Sequence, residues 1–146
     1  MKIKKAVVTG GAGFIGSNLV DRLIDIGIEV IVIDNLSTGH VENINPKAKW
    51  HKISIKDIEP NMLENVDVIF HLAALARVQP SIEDPITFND INVNGTLNLL
   101  FAAYKAGVKR IVYSGSSSCY GNANTFPTPE THSTNPLSPY GLQKYI

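Results

Sequence analysis

Tyr140-Gly141-Leu142-Gln143-Lys144 sets a phenol and an ammonium four residues apart. On a helix that spacing puts both groups on one face, about one turn from each other. Phenols titrate near 10 and are poor bases at neutral pH; each unit of lowering takes ~1.4 kcal/mol of preferential stabilisation of the phenolate. A neighbouring lysine cation and a cationic nicotinamide both act in that direction. The pair is therefore a candidate proton acceptor with its electrostatic support. The same spacing taken alone describes an ordinary solvated helix face, so its surroundings have to carry the argument.

A second candidate is the hydroxyl-rich run Tyr113-Ser114-Gly115-Ser116-Ser117-Ser118-Cys119-Tyr120-Gly121. A hydroxyl there can hydrogen-bond a substrate oxygen as it becomes a carbonyl. Any serine-rich turn shares this look, and residue chemistry alone does not choose among the serines. Cys119 reads as a packed thiol. As the chain's single cysteine it excludes an internal disulfide and a cysteine-based metal cluster, and no metal site is expected.

Thr9-Gly10-Gly11-Ala12-Gly13-Phe14-Ile15-Gly16 is a third. It fits GxGxxG through Gly11, Gly13 and Gly16, and GxxGxxG through Gly10, Gly13 and Gly16. Glycines permit a tight turn and let the backbone approach a pyrophosphate, while the following helix N-terminus offers N–H groups and the positive end of its dipole. Asp34 stands 18 positions past Gly16, placed to accept from the adenosine ribose hydroxyls. Its charge would meet a 2′-phosphate, and no Arg or Lys lies between Asp34 and Lys47 to offset this, so NAD is preferred to NADP. Asp57 is a candidate acceptor for the adenine amino group, or equally a helix cap.

The elements that must hold these groups follow from periodicity. Ala6–Thr9, Glu29–Ile33, Lys49–Ile55, Val66–Leu72 and Arg110–Tyr113 read as strands. Phe14–Ile26, closed by Gly27, and Pro85–Ala106, stopped by Gly107, read as helices. Alternating strands and helices mean βαβ units, hence an α/β fold with a doubly wound parallel sheet. In such sheets ligands bind at the carboxyl edge, where both the glycine loop and the serine run fall. Asn122–Pro139 is polar and proline-rich, an ordered loop, before Ser138-Pro139 caps a last helix. That helix has only about eight residues, and isolated helices below ~12–15 residues are marginal. Tyr140 and Lys144 are therefore expected in a frayed segment, and the fifth strand is expected to leave an open edge that invites self-association.

Thirteen Lys and Arg balance thirteen Asp and Glu, without a basic run, which argues against nucleic-acid and anionic-membrane partners. Apolar residues make up 44%, enough for a core; no apolar stretch nears the ~18–20 residues of a membrane span. Without a leader-like start, a soluble cytoplasmic protein is expected.

In order, T-G-G-A-G-F-I-G, D-N-L-S-T-G, H-L-A-A, N-V-N-G-T, S-S-S-x-Y-G and S-P-Y-x-x-x-K resemble the motifs of the extended short-chain dehydrogenases/reductases. Among these the chain looks most like the nucleotide-sugar epimerases of the UDP-glucose and UDP-N-acetylglucosamine 4-epimerase type. The resemblance implies a Rossmann domain over residues 1–146 holding NAD tightly, acting on a UDP-sugar, in a homodimer. It places the catalytic Ser/Thr on Ser116, the base on Tyr140 and the ribose-binding lysine on Lys144. Cofactor contacts carry over to Gly10, Gly13, Phe14, Ile15, Gly16, Asp34, Asn35, Asp57, Ile58, Leu72, Ala73, Ala74 and Asn92, besides Tyr140 and Lys144. Substrate contacts are expected from Ser116, Ser117 and Tyr140, and from the loop Ala76–Ser81.

Two departures qualify the resemblance. Dehydratase relatives carry Asp-Glu after the catalytic Ser/Thr, where this chain has Ser117 and Ser118. Family members are also longer, so the sheet is expected to be truncated after about five strands and to lack the C-terminal substrate domain. The expected activity is sugar-nucleotide 4-epimerisation through a transient 4-keto sugar. The alternatives are another NAD-dependent dehydratase, decarboxylase or reductase, or an inactive fragment or non-catalytic NAD-binding module. The 146 residues alone are expected to bind NAD weakly and to lack epimerase activity.

Overall fold

The computed structural model describes residues 2–146. Five parallel strands form one sheet in the order β3-β2-β1-β4-β5. They are β1 (Lys5–Thr9), β2 (Glu29–Ile33), β3 (Lys49–His51), β4 (Val68–His71) and β5 (Arg110–Tyr113). The central strand β1 pairs with β2 from Lys5–Glu29 to Thr9–Ile33 and with β4 from Ala6–Val68 to Thr9–His71. A strand covered on both faces reads as a continuous apolar run rather than an alternating one. Accordingly Ala6, Val7, Val8, Val30–Ile33, Val68 and Ile69 are all buried. Helix α1 (Phe14–Asp25) sets Val20 and Leu23 against Ala6, Val8, Val30, Val32 and Val68.

The chain falls into two compact units. One holds the chain up to Ala74 together with Gly95–Ser114; the other holds Leu75–Asn94 and Gly115–Ile146. The first contains the sheet, α1 and α4 (Thr96–Ala106), which ends on left-handed Gly107. The second contains α2 (Val78–Glu83), α3 (Pro85–Asn89), the serine turn and α5 (Pro139–Tyr145).

Three expectations are revised. The third strand stops at His51 rather than Ile55, because the Ile53 N–H turns back to the His51 carbonyl (3.0 Å) and residues 55–57 wind into a 3-10 turn. The helix read over Pro85–Ala106 is interrupted by a π-helical turn, Asp90–Gly95, and is preceded by the unexpected α2. The last helix does not stand alone, since Gly141, Gln143 and Lys144 are buried within the second unit. Among the described residues no helix is long and apolar enough to cross a membrane.

Candidate functional site

In the first unit the glycine loop turns tightly. The Gly13 N–H donates to the Gly10 carbonyl (3.1 Å), and Gly10 has φ +72°, a conformation that favours glycine. A side chain at Gly16 would run into the Gly10 carbonyl, so only glycine lets α1 start this close to the loop. Gly13 is the N-cap of α1; no side chain caps the helix, and no acid stands in its first turn. The positive end of a twelve-residue helix is thus offered to a ligand anion.

Beside it a cleft is lined by Gly10, Gly13, Asp34 and Asn35 on one hand and Leu72–Ala74 on the other. Asp34 is buried and pinned twice: Oδ2 accepts from the Ala12 N–H (3.0 Å) and Oδ1 from the Leu36 N–H (2.8 Å). A carboxylate has about four lone-pair sites, so acceptor capacity remains for a pair of ligand hydroxyls. The residues present therefore suit a dinucleotide: bare backbone and a helix N-terminus for phosphates, a fixed carboxylate for a ribose.

Other expected cofactor residues lie on the adjoining elements. Phe14 and Ile15 lie on the first turn of α1 with exposed side chains. Asp57 closes the 3-10 turn, and Ile58 is buried with its carbonyl accepting from Asn98 Nδ2 (3.1 Å). The cleft wall also includes Ser37, Thr38, Ile53 and Ser54, none of which was singled out. Ser37 and Thr38 belong to the D-N-L-S-T-G run, which was the available signal.

In the second unit Ser138 and Pro139 start α5 as expected, with Ser138 Oγ accepting from the Gly141 N–H (3.0 Å). The Tyr140 N–H donates to Ser81 Oγ (3.1 Å), and that hydroxyl donates to the Val78 carbonyl (2.6 Å). Asn92, buried on the π-helical turn, clasps the Leu75 backbone: Oδ1 accepts from its N–H and Nδ2 donates to its carbonyl, both at 2.9 Å. Nδ2 also donates to Gln143 Oε1 (3.1 Å). Asn92, expected at the cofactor, has its amide engaged in holding its own unit together. The stretch Ala76–Ser81, expected as a substrate-contacting loop, winds into α2 from Val78, with Ser81 buried and bonded to Tyr140; nothing local in the sequence marks that partner or the one of Gln143.

Gly141 lies close against the serine turn; a Cβ there would sit 2.7 Å from the Ser118 carbonyl oxygen. Ser116 precedes that turn, its Oγ accepting from the Ser118 N–H (3.2 Å), and Ser117 is exposed. Tyr140 is half-buried, whereas Lys144 is buried, and desolvation holds its ammonium below the ordinary lysine range. Ser116, Tyr140 and Lys144 thus share one unit, the last two on one helix.

The NAD dependent epimerase/dehydratase family model matches residues 6–146. A putative UDP-glucose 4-epimerase of Methanocaldococcus jannaschii is 46% identical over 144 residues, 96% of this chain and 47% of the relative. The UDP-glucose 4-epimerase of Thermotoga maritima, solved with UDP-glucose, superposes with a TM-score of 0.90 at 46% identity, covering 97% of this chain and 48% of that one. The Brucella ovis UDP-glucose 4-epimerase, solved with NAD, gives 0.93 at 35% identity, with 98% and 45% covered. The chain therefore spans about half the length of the relatives it matches. With the family match running from the second residue of β1 to Ile146, this chain belongs to the NAD dependent epimerase/dehydratase family.

Proposed function

We propose that the protein carrying this chain is an NAD-dependent sugar-nucleotide 4-epimerase, acting on UDP-glucose and UDP-galactose or their N-acetyl analogues. The observation that carries the reading is α5: Tyr140 and a buried Lys144 lie one turn apart on a capped, docked helix. In this reading residues 1–146 are the NAD-binding portion. Gly10, Gly13 and the first turn of α1 take the pyrophosphate, Asp34 takes the adenosine ribose, and Lys144 takes the nicotinamide ribose.

When bound, NAD supplies a reversible hydride acceptor for the sugar C4. Tyr140 removes the proton from the 4-hydroxyl, and the Lys144 charge favours the phenolate that does so. Ser116 donates a hydrogen bond to the oxygen as it becomes the carbonyl of a 4-keto sugar. Tyr140 would also hold the proton for return to that oxygen, which, with a cofactor able to give hydride to the other face of the sugar, would leave C4 inverted. Ser117 and Ser118 in place of Asp-Glu leave the chain without the pair that dehydratase relatives carry for eliminating water.

The proposal extends to a cytoplasmic homodimer that binds no nucleic acid. Leu97, Leu100, Phe101 and Tyr104 form an exposed apolar stripe along α4 at helical spacing, which supports a partner helix face on that side.

Replacing Tyr140 by Phe in the protein that carries this chain tests the reading. Interconversion of UDP-glucose and UDP-galactose should fall by at least 10³-fold, the upper part of the usual range for a general base, with NAD still bound. Near-normal turnover would refute it, and a wild-type protein that binds NAD without turnover would point to a non-catalytic module.

A further inference from the structure

We infer that Thr9 and His71 are positioning residues for the cofactor cleft, with a neutral His71 imidazole, protonated on Nε2, orienting the Thr9 hydroxyl that fixes the cleft wall. The inference rests on the dinucleotide reading of that cleft. Both residues end neighbouring strands, are buried and lie within the first unit.

The argument is a count of donors and acceptors. Thr9 Oγ1 lies 3.2 Å from each of the Leu72 and Ala73 N–H groups. It also lies 2.7 Å from His71 Nδ1. A hydroxyl has two acceptor lone pairs and one proton. The Leu72 N–H is shared with the Thr9 carbonyl (3.2 Å) and the Ala73 N–H is not, yet both approach the lone-pair side of the hydroxyl, so its proton points to Nδ1, which accepts. A neutral ring accepting at Nδ1 carries its proton on Nε2 and donates it to Thr96 Oγ1 at 2.9 Å. This tautomer serves both the Thr96 contact and the Thr9 contact.

The contact matters because of what Leu72 and Ala73 do. Both line the cleft opposite Asp34. A Cβ on Gly10 would stand 2.8 Å from the Ala73 nitrogen, so loop and wall touch with no slack. The Thr9 carbonyl holds only the Leu72 amide, whereas the Thr9 hydroxyl reaches both Leu72 and Ala73 from behind the wall. Displacing these amides would alter the space left for a nucleotide threading between the glycine loop and residues 72–74.

The experiment uses the protein that carries this chain. Nitrogen-15 NMR of the His71 ring should give an unprotonated Nδ1 and a protonated Nε2. Calorimetric NAD titration should show Thr9→Val and His71→Leu weakened by about tenfold or more, the scale of one buried group left unpaired. Thr9→Ser keeps the hydroxyl, and His71→Asn keeps an acceptor near the Nδ1 position; both should stay within about threefold of wild type. Amide exchange at Leu72 and Ala73 should accelerate in the first pair and not in the second.

A ring protonated on Nδ1 overturns the inference. So does a folded Thr9→Val chain with wild-type NAD affinity, which would make the contact merely structural. Wild-type protein that binds no NAD would sink the dinucleotide reading instead, while the ring shifts and the two amides still decide the contact.

Discussion

The cleft of the first unit is built around a glycine turn, a helix N-terminus and the chain just past the ends of β2 and β4. The tyrosine and lysine of the second unit ride on a seven-residue helix whose fixings are side chains, namely Ser81, Asn92, Gln143 and the Ser138 cap. A backbone site tolerates almost nothing where two backbones touch, yet it is indifferent to many side chains around it. A site held by single hydrogen bonds degrades by increments. The two should therefore fail differently.

The sharpest break is Gly16→Val. Its side chain would be driven into the Gly10 carbonyl, with no flexible group to give way. Overpacking of this kind costs ~1–3 kcal/mol or more, and NAD affinity should fall on the order of 100-fold, read by calorimetry. Retained affinity would mean that the loop is looser than its contacts state.

Gln143→Leu is the counterpart in the second unit. It removes the acceptor from buried Asn92 and should cost about 1–3 kcal/mol in urea unfolding. Asn92→Ala should lose more, because it also releases the Leu75 backbone, and the double variant should lose less than the two together, since both delete the Asn92–Gln143 contact. Additive losses would show that the amides act separately. A still smaller step is Ser138→Ala, which should take away ~1 kcal/mol of capping and quicken amide exchange in α5.

The smallest effect is electrostatic and returns to the first unit. The Lys4 and Lys5 N–H groups donate to Asp67 Oδ2 at 2.8 and 3.0 Å and hold its carboxyl below the usual carboxylate range. Because the folded value lies below the unfolded one, the stabilisation is present above about pH 4 and fades as pH falls through the folded value. Asp67→Asn should flatten that acid limb of the stability–pH curve and leave NAD binding unchanged.

Legibility in the sequence divides along the same line. The glycine turn, Asp34, α1 and the Ser138-Pro139 start of α5 are all written in neighbouring residues, and the structure has them. What local pattern could not supply is contact across distance. Tyr140 meets Ser81 across 59 positions, and Asn92 meets Gln143 across 51. Those contacts anchor α5, so a length rule for isolated helices misjudged it. The π-helical turn escaped for a related reason, because one surplus residue in a turn leaves apolar spacing on either side nearly intact. The shortened β3 depends on a single backbone turn at Ile53, which carries no glycine or proline to announce it.

The strand order has a consequence for how such a chain is made. β1 lies at the centre of the sheet yet is made before the other four strands, and its β4 edge waits for residues that are still unsynthesised. The Thr9 hydroxyl meets Leu72 and Ala73 only after 63 and 64 further residues. At ~5–20 residues per second, that leaves roughly 3–13 s in which the glycine loop exists without its opposite wall. During synthesis a nucleotide can therefore engage the finished cleft only late, and the apolar edge of β1 is the surface most in need of shelter until then.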